Sequence, residues 1–99
     1  MYVFTGNFGT SLVPQQLGIT DTQVKKIEFF PVKSWSTTGT LLTNTAPYYV
    51  GLETGALPYI VPTGSHLTID YGQHGTFEKV KNFFVKGVQD DGFYVIVHP

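Results

Sequence analysis

Short runs of β-branched and aromatic residues recur along the chain, each closed by Gly, Pro, Asn or Asp, and this punctuation constrains the fold most. The clearest runs cover residues 24–32, 48–51, 59–61, 66–71, 79–86 and 93–97, with weaker ones at 2–5 and 36–42. The breaks between them carry turn chemistry: Thr63-Gly64-Ser65 after Pro62, Gly72-Gln73-His74-Gly75 after Tyr71, and Asp90-Asp91-Gly92 before Phe93. No segment sustains a helical stripe. Residues 12–17 have room for a single turn, interrupted by Pro14 and ended by Gly18. Thirteen threonines against one methionine also favour strands over helices. The chain therefore reads as all-β: a single antiparallel β-sandwich, jelly-roll-like, with about six to eight short strands. Residues 24–99 are expected to form the sandwich domain. Residues 1–23 are expected to be an N-terminal arm or irregular segment with one short strand. Within them, 6–22 is the least patterned stretch, either a long ordered loop or an arm reaching a neighbouring subunit.

Composition narrows the function classes. With 99 residues, 41% of them hydrophobic, the chain supplies one core but is too short for two ordinary domains. That apolar fraction and a net charge of -1 exclude disorder. No apolar run approaches the roughly 18 residues of a membrane-spanning helix, so no membrane span is expected. Charged residues make up only 13% of the chain, against about 25% in an ordinary soluble domain. All six cationic residues are lysines (Lys25, Lys26, Lys33, Lys79, Lys81, Lys86), interleaved with Glu28, Glu78, Asp90 and Asp91. Without arginine or a basic cluster, nucleic-acid binding is not expected. The absence of cysteine removes a disulfide framework, a thiolate metal site and a cysteine nucleophile. The first residues lack the basic and apolar regions of a secretory signal, so folding is expected in the compartment of synthesis.

The alternation within strands points to self-association. In His66-Leu67-Thr68-Ile69-Asp70-Tyr71 the apolar residues take one face and the polar residues the other, as in a strand with one wet side. The last two strands differ. In Phe83-Phe84-Val85 and Phe93-Tyr94-Val95-Ile96-Val97 both faces are apolar or aromatic, so both need cover. An open edge of that composition is an aggregation hazard that association removes. Phe83, Phe84, Val85, Phe93, Tyr94 and Ile96 are accordingly the expected oligomer-interface residues.

Catalytic chemistry finds little support. His66, Asp70 and His74 are the one local group of metal-type ligands. On a strand, however, His66 and Asp70 stand about 13 Å apart, too far for donors that must converge at about 2 Å on one ion. No metal and no cofactor is expected. Ser65 and His66 are neighbours on opposite strand faces, and no Gly-x-Ser-x-Gly elbow is present. Gly6-Asn7-Phe8-Gly9 matches neither a phosphate loop nor a dinucleotide fingerprint, and most of the acids sit in turn-like or lysine-flanked positions. The chain is therefore expected not to be an enzyme. Trp35, Tyr48, Tyr49 and Tyr59 fall at strand starts or loop ends, where carbohydrate-binding sandwiches place stacking platforms. A surface glycan held by these aromatics is the alternative reading.

From Asn44 onward a specific order of features appears. Asn44-Thr45-Ala46-Pro47 and Tyr48-Tyr49-Val50-Gly51 are followed by Tyr59-Ile60-Val61-Pro62-Thr63-Gly64-Ser65-His66-Leu67-Thr68-Ile69. Then come Val80-Lys81-Asn82-Phe83-Phe84-Val85-Lys86-Gly87, the Asp90-Asp91-Gly92 turn, and Phe93-Tyr94-Val95-Ile96-Val97. This order resembles small β-sandwich structural proteins of tailed bacteriophages, of the capsid-decoration, head-fibre and tail-accessory type. The resemblance covers residues 44–97, and the strand at 24–32 has no counterpart in it. It implies a virion subunit made and assembled in the host cytoplasm, homo-oligomeric and often trimeric, contacting other coat proteins. In that family the N-terminal segment often holds the capsid.

Overall fold

The computed structural model describes residues 1–35, 41–72 and 78–99. Among them it forms twelve strand segments, a 3₁₀ turn at Val80–Asn82 and no α-helix, so the chain is all-β. The strands are β1 (Tyr2–Asn7), β2 (Gln15–Gln16), β3 (Gln23–Val24), β4 (Lys26–Phe30), β5 (Val32–Trp35) and β6 (Leu41–Thr43). They continue as β7 (Tyr48–Gly51), β8 (Tyr59–Val61), β9 (Leu67–Asp70), β10 (Glu78–Lys79), β11 (Phe84–Lys86) and β12 (Gly92–His98). The expected six to eight strands become twelve because short pairings divide the longer runs and β2 forms where no run was read. Lys25 and Pro31 split the run at 24–32, and the 3₁₀ turn splits the one at 79–86. Residues 12–17 hold β2 rather than a helical turn, and Leu12 takes a positive φ of 58°. Of the weak run at 36–42, residues 36–40 lie outside the described residues.

Eight of these strands build two four-stranded antiparallel sheets, ordered β1-β12-β4-β9 and β2-β11-β7-β8. The pairs β3·β10 and β5·β6 are two-stranded ribbons beside them. Numbered first to eighth along the chain, the eight strands nest: first with eighth, second with seventh, third with sixth and fourth with fifth. Successive nested pairs alternate between the two sheets. Residues 1–23 are woven into this pattern rather than set apart from it. They supply β1 to one sheet and β2 to the other, and Phe8 and Leu17 are buried in the core. The sequence hid this because β2 is only two glutamines, with no alternation to read.

Among the described residues one buried cluster takes side chains from both sheets. Ile27 and Phe29 of β4 and Phe93, Val95 and Val97 of β12 meet Tyr48 and Val50 of β7, Val61 of β8 and Val85 of β11. Aromatic pairs tie the cluster together: Phe29 lies 6.1 Å from Phe83, and Phe8 lies 5.5 Å from Tyr48 and 5.6 Å from Phe93, ring centre to ring centre. Each fully buried valine or phenylalanine contributes roughly 1.5–3 kcal/mol relative to exposure, so the inner faces of β4, β7 and β12 hold the fold together. No helix among the described residues is long and apolar enough to cross a membrane.

Candidate functional site

Strand alternation divides the six expected interface residues. Phe83, Val85 and Phe93 are buried in the chain's own core, at 1%, 0% and 4% exposure, and are not available to a partner. Phe84, Tyr94 and Ile96 are half-buried. Phe84 belongs to β11 in one sheet, whereas Tyr94 and Ile96 belong to β12 in the other, so the three do not form one patch. The apolar character of both faces in these strands is genuine, but the fold itself covers one face of each.

The outer face of the β1-β12-β4-β9 sheet is the more developed surface. Its register sets Val3, Ile96, Glu28 and Thr68 in one row across the four strands. The adjacent row runs from Thr5 through Tyr94 to Phe30, with the His66 ring beyond. Phe30 stands edge-on to Tyr94 at 6.2 Å and stacks on the His66 ring at 5.1 Å. His98 Nε2 approaches Glu28 Oε2 at 3.0 Å, closing the polar end of this face. Beside Tyr94, a pocket of about 300 Å³ is lined by Thr5, Gly6, Asn7, Val32, Lys33, Phe93 and Tyr94.

The four aromatics of the alternative glycan platform do not converge. Tyr48 is fully buried, its hydroxyl donating to the Phe30 carbonyl at 3.0 Å, and burial pushes its ionisation well above the usual tyrosine range. Tyr49 lies on the opposite face of β7, with Lys86 Nζ 5.9 Å from its ring centre. Tyr59 pairs with the buried Val50 and so sits on Tyr49's opposite side, 44% exposed at the sheet rim. The Trp35 side chain lies outside the described residues. Burial, and secondarily the charge of Glu78 and the neighbouring Tyr59, raise the ionisation of Tyr71. Of the metal-type residues, His66 stacks on Phe30, Asp70 Oδ1 accepts from the Gly72 amide at 2.9 Å, and His74 lies outside the described residues. No group of three His, Asp or Glu placed to hold a metal ion occurs among the described residues.

Sequence reasoning missed a buried polar corner. The Asp90-Asp91-Gly92 turn is present, with Asp90 at a positive φ of 72°, but Asp91 is only 2% exposed. Its carboxylate accepts from the Thr45 amide at 2.9 Å, the Thr45 hydroxyl at 2.9 Å and the Ala46 amide at 3.1 Å, with Lys33 Nζ 3.7 Å away. Beside it the Asn44 side chain, itself buried, donates to the Gly92 carbonyl at 2.7 Å and accepts from the Gly92 amide at 2.9 Å. This corner pins the turn before β7 to the turn before β12. It is a structural clamp, and the only local hint of it was an Asn and an Asp in turn-forming contexts. Elsewhere Asp21 is held below the usual carboxylate range by a hydrogen bond from Lys81 and by the charges of Lys81 and Lys79.

No protein-family model, curated protein or solved structure matches the chain.

Proposed function

We propose that the chain is a non-enzymatic structural subunit of a virus particle, a jelly-roll sandwich acting through homo-oligomerisation and contact with other coat proteins. The nested strand order carries this reading. A long hairpin whose pairs 1·8, 2·7, 3·6 and 4·5 are rolled alternately into two sheets is the jelly-roll arrangement, and viral capsid domains are among its recurrent users. The apolar and aromatic rows on the outer face, Val3 with Ile96 and Tyr94 with Phe30, suit contact with flat protein surfaces. Low charge and the absence of arginine suit contacts made by aromatic and backbone groups rather than ion pairs. In this role the domain adds buried area across junctions between coat subunits, raising the barrier to shell opening, or forms the base of a projecting fibre.

The reading is tested on particles. Mass spectrometry of virions purified from a culture producing this chain is expected to find it at a fixed ratio to the major coat protein. Its absence from the particles overturns the proposal. Changing Tyr94 and Ile96 together to lysine is expected to strip the chain from particles while leaving its folded monomer intact, because both side chains lie on the outer face.

A further inference from the structure

Among the described residues each four-stranded sheet has two unpaired edges, and the four edge strands differ in what they offer an incoming strand. One sheet ends on β2, two residues long, and on β8, three residues long with Pro58 and Pro62 at its ends. The other ends on β9, which carries Asp70, and on β1. Short length, proline and charge are the means by which sheet edges are kept unreceptive. β1 uses none of them: Tyr2-Val3-Phe4-Thr5-Gly6-Asn7 is six residues without a charge or a proline.

Hydrogen-bond phase identifies the groups along β1 that no described strand pairs. The Phe8 amide donates to the Asp91 carbonyl at 2.8 Å, one step beyond the last pair of the β1·β12 ladder. Bonded pairs recur at every second position of an antiparallel ladder, so Gly6, Phe4 and Tyr2 bond to Phe93, Val95 and Val97. Gly92 independently fixes the same phase. Its amide and carbonyl are both engaged by the Asn44 side chain, so Asn7 opposite it is not a bonded partner. The amides and carbonyls of Val3, Thr5 and Asn7 therefore point outward along the rim. The side chains of all three, and of Tyr2, are exposed.

We infer that this rim pairs antiparallel with β1 of a second copy across a two-fold axis, joining two four-stranded sheets into one of eight strands. A two-fold sets the same alternating array of donors and acceptors against itself, with no like charges opposed within the strand. It also closes the assembly at two copies. A strand from another protein would need a matching free edge, whereas a second copy carries one by construction of the fold. The inference rests on the self-association in the functional reading above and assigns it an edge. Six residues a side is far below the roughly 20–30 of a standard interface, so the isolated contact is weak and gains strength when many copies sit on one surface.

Sedimentation equilibrium from about 20 µM to about 1 mM, with amide exchange followed by NMR, tests the inference. The expected result is a dimer whose Val3, Thr5 and Asn7 amides gain protection with concentration, while those of Phe4 and Gly6 are protected throughout. Thr5→Pro removes a donor that β12 does not use, and Val3→Lys places a charge on the rim; each is expected to weaken association at least tenfold. Circular dichroism establishes that each variant is folded, and Val3→Lys alone suffices where Thr5→Pro is not. Association of the wild type that both folded variants leave within twofold overturns the edge assignment while self-association stands. A wild type that remains monomeric to the highest concentration overturns the edge assignment and the homo-oligomeric reading together.

Discussion

Replacing Asn44 with alanine tests whether the buried corner clamps the fold. The substitution removes a donor to the Gly92 carbonyl and an acceptor from the Gly92 amide, and Gly92 is itself buried. Each buried polar group left unpaired costs about 1–3 kcal/mol, so the pair costs about 2–6 kcal/mol. A water entering the space left by the carboxamide would satisfy part of this, which places the expected loss near 3 kcal/mol. In a domain of this size that corresponds to a fall in Tm of roughly 12–24 °C. Urea unfolding with linear extrapolation measures the loss directly, and scanning calorimetry gives the Tm. Gln16→Ala is the control, because it deletes an exposed hydrogen bond to the Lys81 carbonyl that water replaces. An Asn44→Ala loss no larger than that of the control would refute the reasoning. Asp91 shares the corner, so the Asn44→Ala, Asp91→Ala double variant is expected to lose less than the sum of the two single losses.

Two further perturbations test other parts of the packing. Gly51→Ala would drive a methyl group into the Ala56 carbonyl and to 2.6 Å from Leu57 Cα, both backbone atoms that cannot swing aside, so a loss of about 1–3 kcal/mol is expected by urea unfolding. Tyr48 supplies a pH dependence. Burial raises its ionisation in the fold, so its contribution is complete below the ordinary tyrosine value of about 10 and declines above it by about 1.4 kcal/mol per pH unit, until the buried hydroxyl ionises. Melting temperatures of the wild type between about pH 9 and pH 11 are expected to fall more steeply than those of Tyr48→Phe, and parallel slopes would refute this account.

Alternation made the strands legible because side-chain direction repeats every two residues regardless of what the strand packs on. Thus β7, β8 and the core of β12 were visible as Tyr48–Gly51, Tyr59–Val61 and Phe93-Tyr94-Val95-Ile96-Val97. What failed was the step from an apolar face to its partner. Phe83, Val85 and Phe93 read as needing an outside surface, yet the core between the chain's own two sheets covers them. Tyr48 read as a stacking platform at a strand start, yet its neighbours in space are Phe8 and the Phe30 carbonyl.

The sequence by itself determined that this chain is built from short strands, with one apolar set for a core and few charges on its surface. Both properties are local: residue type and period suffice. Tertiary structure alone decided that β2 and β11 pair, that Asn44 meets Gly92 across 48 positions of chain, and that β1 becomes a six-residue edge without charge. Such facts depend on which strands become neighbours when the chain folds. A two-residue strand of glutamines, or an aspartate in a turn, carries no mark of the partner that folding will bring to it.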